Sequence, residues 1–507
     1  TATTEIYTHV LSSAASDVYK RQQFDWIGRD RHCGGVRLGN LWGSPLAVVL
    51  FGVLMAGVWT LGYGASSSSA DATPKTPAAI DETAMLQAVQ SSQRMGPRLL
   101  SPPPIDKLGL DIAIEDRDGR SMEALHRALA RAEAGEGQAR LLFFGASHVA
   151  GDLFTGYLRR ELQDRYGDAG HGFVVPVHPW RTYRHRDINI ESDGKRWETH
   201  RIRVGDGEVE LVGVAGVAMS SKYPGSFGAL STTQDNDHGR SADFFELYYL
   251  KHPRGGEMDI LIDGRRAQRI STRSSKVRTA YATFRVPDES HRFEVRTLSR
   301  RPVWLFGAAV ERDRPGVIVD TLGINGSRAR YQLLWDDTIY REHLQRRKPD
   351  LVVLAYGTNE SGDEAPLQDY ERDLRAVLTR VRETVPEASC LLIGPSDRPL
   401  QVEERVFEDR ARTAQLIEIQ HRVALEQGCG FFDLVAFQGG SLSMVQWAAN
   451  HPAYASQDHI HYTRLGYQRL GEVLLSALLE GMPASGDEST ASAVSPDAGI
   501  AEEPAAK

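Results

Sequence analysis

A four-residue apolar run that stops at a glycine and meets a serine two residues later, Leu141-Leu142-Phe143-Phe144-Gly145-Ala146-Ser147, restricts this chain more than any other stretch. The run has the length of a buried strand, and a helix-like pattern begins near Leu153. Strand, tight turn, serine, helix is a building unit of open α/β sheets. In such sheets ligands sit at the carboxyl ends of the strands, where Ser147 would stand. A serine that only closes a turn fits the same pattern, so its meaning depends on what the rest of the chain supplies.

The 507 residues, 41% hydrophobic and 25% charged, suffice for a globular core of more than one domain. A net charge of -8 and a pI near 6.1 leave no nucleic-acid footprint. Three cysteines without a CxxC spacing exclude a disulfide scaffold and suggest no zinc site. There is no phosphate-binding loop, dinucleotide fingerprint or repeat period, so neither a cofactor nor a metal is expected.

Residues 1–22 differ in character from the rest and read as a sequence artefact, the alternative being a genuine disordered N-terminus. From Pro45 to Tyr63 the chain is apolar and free of charge. About 19 residues at 1.5 Å each cover roughly 28 Å, near the hydrocarbon thickness of a bilayer. Arg29, Arg31 and Arg37 precede it, so residues 1–44 are expected in the cytoplasm and the remainder outside. A transmembrane signal anchor over 45–63 is the favoured reading, with a cleaved signal peptide as its rival. Residues 64–104, rich in Ser, Ala, Pro and Thr, read as a disordered linker, and 481–507 as a disordered tail.

Between them the pattern changes twice. Residues 105–172 and 318–480 have an α/β rhythm, with apolar strands at Val317–Thr321, Leu351–Tyr356, Cys390–Gly394 and Gly430–Leu434. Helical spacing marks Ser121–Ala134, Leu153–Tyr166, Leu367–Val381 and Leu465–Leu479. Residues 173–317 instead alternate short strands with turns: Val209–Val214, Phe244–Leu250, Met258–Ile262, Thr279–Val286, Arg292–Leu298 and Val303–Val310. That predicts an antiparallel β-sandwich or jelly roll. The fold class is therefore α/β, a parallel sheet flanked by helices and interrupted by an inserted β domain, behind an N-terminal transmembrane helix.

Four pieces bear on chemistry: Gly145-Ala146-Ser147, Gly323-Ile324-Asn325-Gly326, Tyr356-Gly357-Thr358-Asn359-Glu360, and Asp458-His459-Ile460-His461. The first three follow strands, so a parallel sheet brings them to one edge. A serine hydroxyl needs a base to become a nucleophile, a histidine needs a carboxylate to fix its tautomer, and a tetrahedral oxyanion needs preorganised donors. An α/β-hydrolase elbow would want glycine at position 149, where the chain has Val149.

In order and type, these blocks resemble those of the SGNH (GDSL-like) hydrolases. The resemblance implies a flavodoxin-like parallel sheet with Ser147 as nucleophile, His461 as general base and Asp458 as its partner. It implies an oxyanion hole of the Ser147 and Gly326 N–H groups and the Asn359 amide. Two departures stand out: Ala146 where the family usually has Asp, and Glu360 where Asp usually follows Asn359. GxNG, YGTNE and a β insert after the first helix are similar to the bacterial peptidoglycan O-acetylesterase group.

That likeness implies an acetylesterase acting on a cell-envelope glycan, held at the inner membrane with its catalytic domain in the periplasm or outside the cell. An O-acetyltransferase using the same triad and a non-catalytic glycan-binding protein are the alternatives. Trp180 and Tyr183, near the entry to the insert, are candidate sugar contacts, or else interface packing. The oligomeric state is not encoded in these motifs. In the sheet order of the family, Cys390 and Cys429 would open neighbouring strands, near enough for a disulfide. Side-by-side strand positions often orient Cβ atoms poorly, which favours two buried thiols instead. Cys33, ahead of the membrane segment, is expected to stay reduced.

Overall fold

The computed structural model describes residues 108–202 and 210–482. A five-stranded parallel sheet forms the centre: β1 (Gln138–Gly145), β2 (Gly316–Gly323), β3 (Leu351–Ala355), β4 (Ser389–Ile393) and β5 (Gly430–Phe432). Their spatial order is β2-β1-β3-β4-β5, the flavodoxin-like arrangement, whose topological switch point lies between β1 and β3. The helices are α1 (Glu123–Glu133), α2 (Ser147–Ala150), α3 (Phe154–Tyr166), α4 (Asp337–Arg347), α5 (Leu367–Thr384), α6 (Ala411–Glu426), α7 (Leu434–Gln438), α8 (Ser443–Ala449) and α9 (Arg464–Leu479).

Side chains alternate across a strand, so β1 feeds two cores. Leu141 and Phe143 join one core with Leu125 and Leu129 of α1, Phe154 and Leu158 of α3, and Leu470 and Leu474 of α9. Leu142 and Phe144 join the other, with Tyr340 of α4, Leu374 and Val377 of α5, and Leu416 of α6. Both faces are covered, which is why these strands read as unbroken apolar runs. Phe143 and Phe144 are fully buried, each contributing about 1.5–3 kcal/mol of hydrophobic stabilisation. The α5 helix forms because Tyr370, Leu374, Val377, Leu378 and Val381 fall on one buried stripe.

Two antiparallel sheets lie between α3 and β2. One orders Arg278–Glu289, Ala242–Lys251, Val303–Glu311, Ala218–Ser221 and Glu198–His200, with Gly170–Val174 also paired to Val303–Glu311. The other orders Asn189–Ser192, Phe227–Ser231, Arg292–Thr297, Glu257–Ile262 and Arg265–Ser271. Phe245 of the first stacks on Phe293 of the second at 5.2 Å, so the sheets face each other. Their interior is continuous with the core around Leu142 and Phe144.

Three expectations change. The β insert begins at Gly170 rather than 173, because Gly172 backs that strand onto Asp320, where a Cβ would lie 2.5 Å from Oδ1. Residues 210–214 form no strand; Glu210 makes one isolated bridge, to Trp335. Cys390 and Cys429 are disulfide-bonded with Cα atoms 4.7 Å apart, which corrects the reading of two thiols. Leu391 pairs with Gly430, so the cysteines lie abreast. Cys429 precedes its strand, with its N–H donating to Ala424 of α6 at 2.9 Å, and strand geometry does not constrain it.

The 1–22 stretch, Cys33, the 45–63 span and the linker lie outside the described residues, as does 483–507. Among the described residues no helix is long and apolar enough to cross a membrane.

Candidate active site

The β1 strand lies between β2 and β3, and its last residue, Gly145, is level with Gly323 and Ala355. Ser147, Gly326 and Asn359 lie two, three and four residues beyond these positions, so their blocks leave the sheet side by side. Ser147 is the first residue of α2, with Ala146 at the N-cap position and no side-chain cap. The turn is tight. A Cβ on Gly145 would sit 2.3 Å from Val149 Cγ2, and one on Gly323 would sit 2.2 Å from the Ala150 nitrogen.

Ala146 supplies no carboxylate here, and the turn is held from its other end. Asp152, buried and in the left-handed region, ends the α2 segment. Its carboxylate accepts from Thr155 Oγ1 (2.9 Å), Thr321 Oγ1 (2.8 Å), the Arg186 N–H (2.8 Å) and both terminal nitrogens of Arg159 (3.2 and 2.7 Å). Burial pushes this carboxyl up, but the Arg159 guanidinium outweighs that and holds it ionised far below the usual carboxylate range.

The last block forms the loop before α9, whose start Thr463 caps through the Gly466 N–H. Asp458 Oδ1 accepts from the Ile460 and His461 N–H groups, each at 3.0 Å. Its Oδ2 lies 2.7 Å from His461 Nδ1, and His461 Nε2 lies 2.8 Å from Ser147 Oγ. Burial raises the Asp458 carboxyl, but the hydrogen bond from His461 and the two backbone donors win, and its pKa falls to about 2. An ionised carboxylate fixes the Nδ1–H tautomer and leaves Nε2 free to take the serine proton. His459 turns away and packs on Phe407 at 4.4 Å.

Asn359 Nδ2 donates to the Ser327 carbonyl at 2.9 Å, joining the third block to the second. Glu360 braces the same two loops, accepting from the Ala329 N–H (2.9 Å) and the Gly357 N–H (3.0 Å). Burial raises its pKa. Gly326 is exposed, with a φ of +77° that favours glycine. Ser147, Asn359, Asp458 and His461 are all half-buried, so the constellation is reachable from solvent.

Sequence reading missed His148, because its partners lie hundreds of residues away. It is buried under the site, with Nδ1 3.0 Å from Tyr467 Oη and Nε2 3.1 Å from Ser396 Oγ, and Ser396 in turn bonds Thr358 beside Asn359. Burial lowers its pKa to about 3, so the ring is neutral.

Tyr183 is not displayed to a ligand, and Trp180 is half-buried. Tyr183 is 7% exposed and its hydroxyl accepts from the Val175 N–H at 3.0 Å. Trp180 packs edge-on against it at 5.4 Å and beneath Arg201. Tyr183 thus takes the packing role that stood as the alternative to sugar contact, and Trp180 takes it in part, in the loop beyond the strand Gly170–Val174.

Asp152, His171 and His185 bring ligand-type atoms within 4.8 Å of one another. Asp152 already accepts five hydrogen bonds and is paired with Arg159, whose positive charge repels a cation there. The cluster is an internal ion-pair network.

Residues 290–469 match the model of the GDSL-like lipase/acylhydrolase family. The match leaves out Ser147, which the β insert separates from the later blocks. No curated protein matches the chain. Among solved structures it is similar to a peptidoglycan O-acetylesterase, at 23% identity over 72% of this chain and 98% of that one, with a TM-score of 0.59. It also matches a family two carbohydrate esterase from Cellvibrio japonicus (13% identity, 56% and 98% coverage, TM-score 0.24) and an acetyl xylan esterase (19%, 32% and 80%, 0.25). With its four blocks gathered at one edge of a β2-β1-β3-β4-β5 sheet and residues 290–469 matching the GDSL-like lipase/acylhydrolase model, the chain is similar to the SGNH-type carboxylic ester hydrolases.

Proposed function

We propose that this protein is a serine esterase that removes O-acetyl groups from a cell-envelope polysaccharide, with peptidoglycan as its substrate. The observation that carries the reading is His461 bridging Ser147 at 2.8 Å and Asp458 at 2.7 Å. His461 Nε2 takes the Ser147 proton as Oγ attacks the acetyl carbonyl carbon. The carbonyl oxygen becomes an oxyanion, received by the Ser147 and Gly326 N–H groups and the Asn359 amide hydrogen that Ser327 does not occupy. Collapse expels the sugar alkoxide, which takes the proton back from His461 and leaves an acetyl ester on Ser147. Water, deprotonated by His461, attacks that ester and releases acetate and free serine.

The substrate rests on three supports: the GxNG and YGTNE blocks, the inserted β domain, and the similarity to a peptidoglycan O-acetylesterase. A reacting centre only half-buried suits an acetyl group on a bulky chain. The charge-free 45–63 span, preceded by arginines, supports an inner-membrane anchor with the catalytic domain on the far side.

Acetate release from O-acetylated peptidoglycan, set against acetylated xylan, tests this reading. We expect peptidoglycan to be preferred and Ser147→Ala to abolish release while the circular dichroism spectrum is kept. His461→Ala should be nearly as severe and Asp458→Ala milder. Wild-type turnover by folded Ser147→Ala would refute the mechanism, and a preference for xylan would refute the substrate.

A further inference from the structure

With Tyr183 buried and Trp180 half-buried between Tyr183 and Arg201, a long glycan needs a broader surface than these two residues offer. A cleft of about 520 Å³ opens on the β insert. Trp304, Ser220 and Leu250 line it from three neighbouring strands, where Trp304 is in register with both of the others. The His200 ring stacks on the Trp304 indole at 4.0 Å and 25°, which fixes the plane of this half-buried aromatic. Tyr223 and Val277, 50% and 51% exposed, stand at the same cleft. The exposed Tyr223 ring and the half-buried Trp304 indole give this cleft the aromatic faces on which a sugar stacks, with Val277 as an apolar wall.

Charge adds a second, independent observation. Lys195, Arg196, Lys222 and Arg254 line the cleft against a single carboxylate, Glu198, on a chain whose net charge is -8. Arg196 has Asp193 at 3.8 Å. Among the described residues no carboxylate lies within ion-pair distance of Lys195, Lys222 or Arg254. Like charges lining one cleft with few counter-charges repel one another, and a bound anion relieves that repulsion. The cleft is also tied to the catalytic edge of the sheet. Leu211 lines it, and the adjacent Glu210 exchanges backbone hydrogen bonds with Leu334 (2.9 Å) and Asp336 (3.1 Å), just beyond the Gly326 loop.

We infer that this cleft is a binding subsite for an acidic polysaccharide, a glycan whose sugars bear carboxylates, holding the chain while an acetyl group reaches Ser147. The inference rests on the esterase reading and adds to it the charge class of the substrate and the surface that selects it.

Isothermal calorimetry on the full chain tests it, with two probes. One is peptide-free, deacetylated peptidoglycan strands, whose lactyl groups are free carboxylates; the other is neutral chitohexaose. Lys222 and Arg254 are exposed, so their reversal leaves the core intact. The double variant Lys222→Glu/Arg254→Glu should lose affinity for the acidic strands by about tenfold or more, and wild-type binding should weaken in about 0.5 M salt. Its kcat/KM on p-nitrophenyl acetate should stay within about twofold of wild type. Tyr223→Ala should weaken both probes. Unchanged affinity in the double variant, or chitohexaose bound as tightly as acidic strands, would overturn the proposal. Cleft-dependent binding without acetate release from O-acetylated peptidoglycan would sink peptidoglycan as the esterase's substrate and leave the subsite standing. Acetate release with binding and KM indifferent to the reversal would do the opposite.

Discussion

At Gly145 and Gly323 the strands framing Ser147 come so close to α2 that a methyl group at either position would overlap Val149 or the Ala150 backbone. The serine is held from three sides by residues with no chemistry of their own, and catalysis then turns on a few donors. Asn359→Ala removes one of them. We expect kcat on p-nitrophenyl acetate to fall by roughly 10²–10³, about 3–4 kcal/mol, with KM little changed. Losing the bond to the Ser327 carbonyl should cost only about 1 kcal/mol of stability. An effect confined to KM would remove Asn359 from the reacting centre. At this scale the Ser147, His461 and Asp458 blocks were legible through their resemblance to those of the SGNH hydrolases, and the structure brings these three side chains into contact. The oxyanion-hole roles of Gly326 and Asn359 come from the same resemblance. Glu360 and His148 were not legible in these roles. A bracing carboxylate or a buried imidazole is defined by its partners, and those come from distant parts of the chain.

Elements were legible where burial is complete on both faces. The runs of β1 and β3 admit hardly any other reading. By contrast α4, with the sequence DTIYREHLQRR, is too polar to announce itself, and Arg265–Ser271 is a strand whose side chains are almost all exposed. Partners made these elements, not composition: α4 is capped by Asp336 and packs Tyr340 on Phe144, and Arg265–Ser271 pairs along Glu257–Ile262. The Cys390–Cys429 bridge likewise depends on register, which sequence spacing does not fix. It closes a loop of 39 residues around α6. Cys390→Ser/Cys429→Ser should cost about 4 kcal/mol by chain-entropy reasoning, seen in urea unfolding under non-reducing conditions. The bridge sits at the strand starts, opposite the catalytic edge, so kcat should not move. A loss of activity in the folded double variant would contradict that placement.

Across the whole molecule, burial leaves several imidazoles neutral. It lowers the pKa of His148 and His343 to about 3 and of His185 to about 4. In the unfolded chain they titrate near 6.5. Between those values the unfolded state binds more protons, so stability falls as pH drops below about 6.5, by up to about 1.4 kcal/mol per unit for each group. The melting temperature should therefore decline steadily from pH 7 to pH 4.5, and His343→Gln should flatten the slope. A flat profile over that range would mean these rings find protons in the folded protein. The sequence suggested an inserted β domain, and that insert shares its core with one face of the parallel sheet. That continuity has a consequence in time. Gln138 at the start of β1 pairs with Gly316, 178 residues later, and its other neighbour, β3, comes later still. At roughly 5–20 residues per second the ribosome delivers that first partner some 10–35 s after the nucleophile strand. Through that interval the buried run Leu141–Phe144 lacks both of its sheet neighbours, and Ser147 becomes an enzyme's serine only once the whole insert has been synthesised.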